Sequence, residues 1–358
     1  MIKLSKPVRL LAFWPASDYE EFFAPAFLNR DDLEVEIVSG DRTSGPSPHA
    51  ANGARLARLR QRVKQRDFDL IISGTIWNTA WPPHKGLTTR LAQAARFYTY
   101  KRKMLDTYWA PGFARLAAES GVPFATMDVR DPSFIFPWDW PLLREGFLYF
   151  KRELYHWPMR SLGPLKIYVG KEVEDHQQKL RPLSYGAPPG NEGTPNRPFA
   201  ERDIDVFMSG MVQPLRQIVM GRLEALQTEF KIDLHRKVIP AEEYRDRLSR
   251  SKLVVCVESF GCETWRMYDA SGSGAVPLIN WPFVQNAFPL EPDKHALYFS
   301  YMGDHLERQI RSALADLPRL EKMSRATYEF TRQYKDRRAI ANYVIETTLA
   351  EFQKKQQA

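Results

Sequence analysis

Two runs of alternating strand-like and helix-like segments, divided by a stretch without periodicity, leave this chain few folds to choose from. The first run holds the apolar stretches VRLLAFW (8–14), LEVEIVS (33–39), FDLIISG (68–74) and VPFATMDV (122–129). Between them lie segments with apolar residues at helical spacing: SDYEEFFAPAFL (17–28), ARLARLRQRVKQ (54–65) and much of 87–120. Strands apolar on both faces and separated by helices form a parallel sheet covered on both sides.

From 181 to 202 the chain is rich in proline, glycine and small polar residues, the composition of a linker. The alternation then resumes with strands DIDVFMSG (203–210), KIDLHR (231–236), LVVCVES (253–259) and AVPLIN (275–280). The helices between them begin at Pro214, Pro240 and Thr264, and proline is tolerated in a first helical turn because it has no N–H to lose. A length of 358 residues fits about two domains. The expected organisation is a first Rossmann-like domain over 1–180, a linker over 181–202 and a second Rossmann-like domain over 203–335. A final helix over 336–358 is expected to pack back on the first.

The net charge of +8 points to an anionic partner. Its local clusters, RLARLRQRVKQR (55–66) and YKRK (100–103), flank apolar stripes as solvated helix faces do, so no nucleic-acid partner is expected. Cys256, one of only two cysteines, sits in an apolar run and fits a reduced, buried thiol in a reducing compartment. The N-terminal apolar run is too short for a secretory signal, and no run approaches the ~18 apolar residues of a spanning helix. A cytoplasmic protein, at most peripheral to a membrane, is expected.

In an open parallel sheet, ligands gather beyond the carboxyl ends of the strands. Two glycine turns stand there in the second half. Ser209-Gly210 precedes a helix bearing Arg216 and Arg222, and Gly261-Cys262-Glu263 precedes one bearing Arg266. A helix start with an arginine in its first turn suits a diphosphate, through unpaired N–H donors and a planar cationic fork. Asp269, three residues on and hence on nearly the same face, can accept from both hydroxyls of a ribose. The same spacing also fits a surface ion pair, and spacing by itself leaves both open.

The run Arg266-Met267-Tyr268-Asp269-Ala270, followed by Gly274-Ala275-Val276-Pro277-Leu278-Ile279, resembles a hallmark of GT-B glycosyltransferases, the exostosin-like group and related bacterial enzymes. DIDVFMSG with Arg216 and Arg222 resembles the opening strand and helix of that group's donor domain, and the likeness extends over about 203–348. The resemblance implies an α/β fold of the GT-B kind, two Rossmann-like doubly wound domains facing across a cleft. The implied activity is metal-independent transfer of a sugar from a nucleoside diphosphate sugar to a glycan or lipid-linked acceptor, in bacterial surface polysaccharide assembly at the inner membrane, without a further cofactor. A non-catalytic nucleotide- or glycan-binding protein of the same fold is the alternative.

Residue by residue, the resemblance implies that Asp269 holds the donor ribose and that Arg266 and Arg216 neutralise the diphosphate, beside Ser209, Gly210 and Gly261. Many GT-B enzymes carry a glutamate eight positions before the ribose carboxylate. Here that position is Gly261, and the nearest acid is Glu263, which fits either a contact to the donor sugar at the catalytic centre or a charge that complements its helix start. An inverting enzyme would take its base from the first domain, where Asp131 is the candidate, with Asp128 and Asp139 nearby. The segment FKRELYHW (150–157) has the look of a solvated amphipathic helix, the alternative being that Lys151, Arg152, Glu153 and His156 stand near the junction of the domains and touch acceptor or phosphate. Trp77, Asn78 and His84, in a loop after the third strand, suit an acceptor glycan, since aromatic faces stack on sugars and amides bind hydroxyls, and Trp77 and Trp81 equally suit packing residues. Asp203-Ile204-Asp205 spells the D-x-D of metal-dependent transferases, but at the strand's amino end, away from any ligand.

Overall fold

The computed structural model describes residues 7–14, 24–28, 30–39, 53–75, 109–136, 139–158, 160–162, 176–186, 197–210, 213–259, 261–300 and 305–357. Trp77, Asn78 and His84 lie outside the described residues.

The first unit is a six-stranded sheet in the order β2-β1-β3-β4-β5-β7. Its strands are β1 (Val8–Trp14), β2 (Leu33–Ser39), β3 (Leu70–Gly74), β4 (Phe124–Asp128), β5 (Leu148–Lys151) and β7 (Leu180–Pro182). All neighbours are parallel. Side chains of β1 alternate between two cores. Leu10, Ala12 and Trp14 face one, Leu11 and Phe13 the other, as the period of two in a strand requires. Helices α1 (Gly53–Lys64), α2 (Ala110–Ser120) and α3 (Trp140–Glu145) supply Leu59, Val63, Phe113 and Leu142 to the second of these cores. Gly121 ends α2 in the left-handed region at φ 69°, its N–H turned back to the carbonyls of Ala117 and Ala118.

The second unit is a five-stranded sheet in the order β13-β11-β10-β8-β9, again all parallel. Its strands are β8 (Ile204–Ser209), β9 (Ile232–His235), β10 (Ser251–Cys256), β11 (Val276–Asn280) and β13 (Leu297–Phe299). Helices α4 (Pro214–Ala225), α5 (Ala241–Arg250), α6 (Trp265–Gly272), α7 (Leu306–Ala315) and α8 (Leu317–Tyr334) belong to this unit, and α4, α7 and α8 pack on one face of the sheet. In both sheets the strand order reverses between the first strand and the third, which opens a crevice at their carboxyl ends. In the second unit that crevice lies between β8 and β10.

Helix α9 (Arg337–Gln357) leaves the second unit and lies on the first sheet. Phe352 meets Phe147 at 5.2 Å, Tyr343 meets Phe150 at 5.6 Å, and Arg181 Nε donates to Glu351 at 2.7 Å. The chain leaves the first unit beside the point where it returns. A Cβ on Gly186, at φ 77°, would stand 2.9 Å from the Lys335 carbonyl oxygen. β7 also carries the first sheet two residues past 180.

One segment departs from its expected form. FKRELYHW is no amphipathic helix: it finishes β5, turns at Arg152 and Glu153, and continues into β6 (Leu154–Tyr155), which pairs antiparallel with β12 (Val284–Gln285). Lys151, Arg152 and Glu153 are all buried. Their charges are met by partners distant in sequence, so the solvated face that local charge suggested does not exist.

Candidate nucleotide site

The crevice between β8 and β10 gathers two arginines around one glycine. Gly210, directly after β8, has φ 135°, a conformation L side chains rarely adopt. A Cβ there would stand 2.6 Å from Arg266 Nη2 and 3.5 Å from Arg216 Nη1. Glycine is therefore what lets both guanidinium groups close on the strand end. Arg266, in the first turn of α6, donates from Nη2 to the Ser209 carbonyl at 2.5 Å. Its Nε and Nη1 are buried and make no hydrogen bond. Arg216, buried in the first turn of α4, reaches across the crevice to the Val257 carbonyl at 3.4 Å.

Burial first, and then the neighbouring Arg266 charge, pull the Arg216 guanidinium down to about 10. Two like charges drawn together at low dielectric repel, and an anion between them reverses the sign of that interaction. Gln213 Nε2 donates to Ser259 Oγ at 3.1 Å, tying the start of α4 to the loop after β10.

Asp269 is half-buried one turn along α6, its Oδ2 accepting from the Tyr244 hydroxyl of α5 at 3.1 Å. Arg266 thus turns to the strand end and Asp269 toward α5, which is not the arrangement of a surface ion pair. A diphosphate at the arginines and a ribose at Asp269 would lie along one helix face.

Gly261 and Glu263 have other surroundings. A Cβ on Gly261 would stand 2.6 Å from Glu153 Oε1, so the place where a side chain would begin is filled from the first unit. Glu263 is buried. Its carboxylate accepts from the Tyr268 hydroxyl, from Asn286 Nδ2 at 2.7 Å and from the Tyr185 amide at 3.3 Å. Burial pushes it up to about 7 against the pull of Arg152 and Lys335, and burial likewise pushes Lys335 down to about 7. Asn286 bridges the two, its Oδ1 accepting from Lys335 Nζ at 2.6 Å. Glu263 therefore belongs to a buried network beside the chain crossing rather than to the crevice.

Among the first unit's carboxylates, Asp128 and Asp139 are fully buried around Arg130, at 2.7 Å and 2.5 Å from its Nη2. Arg130 and Lys151 hold Asp128 well below the usual carboxylate range despite burial, whereas burial and the Asp128 charge raise Asp139 to about 6. Asp131 differs, with a side chain 41% exposed beyond the carboxyl end of β4 and one oxygen held by Arg152. Of the three, it alone can reach a bound molecule. Asp203 and Asp205 stand at the amino end of β8, as their position in the strand implied. Asp203 pairs with Lys231 and Arg250, both at 2.6 Å, and Asp205 with Lys252 at 2.6 Å.

No protein-family model and no curated protein matches the chain. Among solved structures it is similar to a glycosyltransferase from Rickettsia africae, with a TM-score of 0.55 and 9% identity over 98% of this chain and 100% of that one. Anabaena HepE in complex with UDP aligns at 12% identity over 95% of this chain and 99% of its own, with a TM-score of 0.46. The two doubly wound parallel sheets and the Rickettsia likeness define the architecture: this is the GT-B fold, two Rossmann-like units with the last helix returning to the first.

Proposed function

We propose that the protein is a glycosyltransferase that takes a sugar from a nucleoside diphosphate sugar. The observation that carries this reading is the convergence of Arg216 and Arg266 on Gly210 at the strand-order reversal of the second sheet, with Asp269 one turn further along α6. Arg266 and Arg216 bind the diphosphate and stabilise the charge that grows on it as the glycosidic bond breaks. Asp269 accepts from the ribose hydroxyls, and Ser209 and Gly210 supply the strand end on which Arg266 rests. The Rickettsia africae protein of the same fold, itself a glycosyltransferase, supports the reading.

Asp131 is the group of the first unit that would take the acceptor's proton, with Arg152 orienting it. The acceptor is a glycan or a lipid-linked glycan, and Trp77, Asn78 and His84 are the residues proposed to meet it. The positive net charge favours peripheral contact with an anionic membrane face, and no helix among the described residues is long and apolar enough to cross a membrane. The test is slow hydrolysis of UDP-sugars and GDP-sugars by the purified protein. Release of nucleoside diphosphate that depends on Asp131 and Arg266 supports a transferase, whereas tight binding without any turnover would identify a non-catalytic binder.

A further inference from the structure

The start of α6 is held by the other unit of the protein. Glu153, at the end of β5, accepts from the Cys262 amide through Oε2 and from the Glu263 amide through Oε1, each at 2.8 Å. These two N–H groups lie in the turn ahead of α6, with Thr264 between them and its first residue, and Arg266 follows Glu263 by three residues. A carboxylate gripping two successive amides holds the turn that leads into the helix, and through it the place where the helix begins.

Glu153 itself has little freedom. It is buried, and its φ of 59° lies in the left-handed region, sparsely populated by residues with long side chains. Arg152 Nη1 donates to it at 2.8 Å and to the Glu263 carbonyl at 3.1 Å. The same guanidinium donates from Nε to the Val129 carbonyl at 2.7 Å and from Nη2 to Asp131, and it stacks 3.8 Å over the Tyr185 ring. Burying such ions costs free energy that mutual attraction repays only in good geometry, so the pair makes a poor case for stability alone. What this pair does is tie the carboxyl ends of β4 and β5 to the turn that leads into α6. Position 261 fits the same account, because any side chain there would displace the Glu153 carboxylate.

We infer that Glu153, held by Arg152, is a positioning residue that sets α6, and with it Arg266 and Asp269, relative to Asp131. The inference rests on the donor site proposed above. It makes nucleoside diphosphate affinity in the second unit depend on a carboxylate of the first.

Calorimetric titration with UDP and GDP, beside melting curves, tests it on the full chain. Arg266→Ala measured first establishes whether the donor site is right. Gly261→Ala, whose new methyl meets Glu153 Oε1, is expected to weaken binding about tenfold, within the range of coupling between linked sites. Glu153→Gln, which turns an N–H₂ toward one of the two amides, is expected to do the same. In a Glu153→Ala background the Gly261→Ala change should cost nothing further, because the obstructed group is gone. Should Glu153→Ala fail to fold, Gly261→Ala and Glu153→Gln carry the test. If Arg266→Ala abolishes binding while Gly261→Ala and Glu153→Gln lower the melting temperature but bind normally, Glu153 is a packing residue and the inference falls alone. If the wild-type protein binds neither nucleotide, the donor site falls and the inference with it.

Discussion

Gly210→Ala puts the crevice geometry under the sharpest strain. At φ 135° an alanine is strained whatever room it finds, at a cost of ~1–3 kcal/mol. Its methyl would also begin 2.6 Å from Arg266 Nη2, against 3.4 Å for ordinary contact, so the guanidinium must retreat by about 0.8 Å. Arg266 cannot do so and keep its 2.5 Å bond to the Ser209 carbonyl, and a hydrogen bond from a charged group contributes ~1.5–3 kcal/mol. Melting should fall by several degrees, at roughly 2–4 °C per kcal/mol for a domain of this size. Nucleoside diphosphate affinity should fall by more than tenfold, because an ångström-scale error is large for a charge-assisted phosphate contact. Gly221→Ala within α4 is the control. It meets nothing within 4 Å and should be neutral or gain up to ~1 kcal/mol. Calorimetry and differential scanning on the two variants decide the matter: a Gly210→Ala protein that binds UDP and GDP as the wild type does would show that Arg266 has no part in binding them.

Asp269→Asn should weaken ribonucleoside diphosphates more than their 2′,3′-dideoxy counterparts, since a charged acceptor is exchanged for a poorer one; equal losses in calorimetry would move the ribose elsewhere. Binding and transfer should survive EDTA, and Asp203→Ala, which opens surface ion pairs worth about 1 kcal/mol or less, should leave affinity unchanged. Activity lost in EDTA and restored by Mg²⁺ would contradict the role given to the arginines. Glu263 has its folded-state pKa raised from 4.5 to about 7, so its contribution to stability is full below about 4.5 and is lost as pH rises through about 7. Glu263→Gln should flatten the melting temperature across that window, with Lys335, Arg152 and Glu153 still facing the site. An unchanged profile would place the titration elsewhere.

The second sheet was legible because its signals are local. β8, β10 and β11 each appear as an apolar run ending in a turn, and a parallel sheet puts those turns, with the arginines after them, on one edge. The same logic placed Asp203 and Asp205 at the far edge, where they pair with Lys231, Arg250 and Lys252. The burial of Lys151, Arg152 and Glu153 was not legible, for a physical reason. Charges beside aromatics in FKRELYHW have the periodicity of a solvated helix, and the groups that permit their burial lie as far as 111 residues away. Three charged residues closing an otherwise apolar strand were the available signal, since a buried strand end carries such residues only with partners. Asp128, Asp131 and Asp139 likewise could not be separated in sequence. Only packing shows that Arg130 encloses two of them and leaves Asp131 at the surface.

Two arginines at the end of β8 and one aspartate on α6 are proposed to bind a nucleoside diphosphate. The most direct measurement is a calorimetric titration of the wild-type protein and of Arg266→Ala with UDP and GDP, together with melting curves of both. One-to-one binding of at least one of these nucleotides to the wild type is expected, with a loss of at least tenfold, or about 1.4 kcal/mol, in a variant that melts within a few degrees of it. Equal affinity in the two proteins, or no binding to the wild type, would contradict this role.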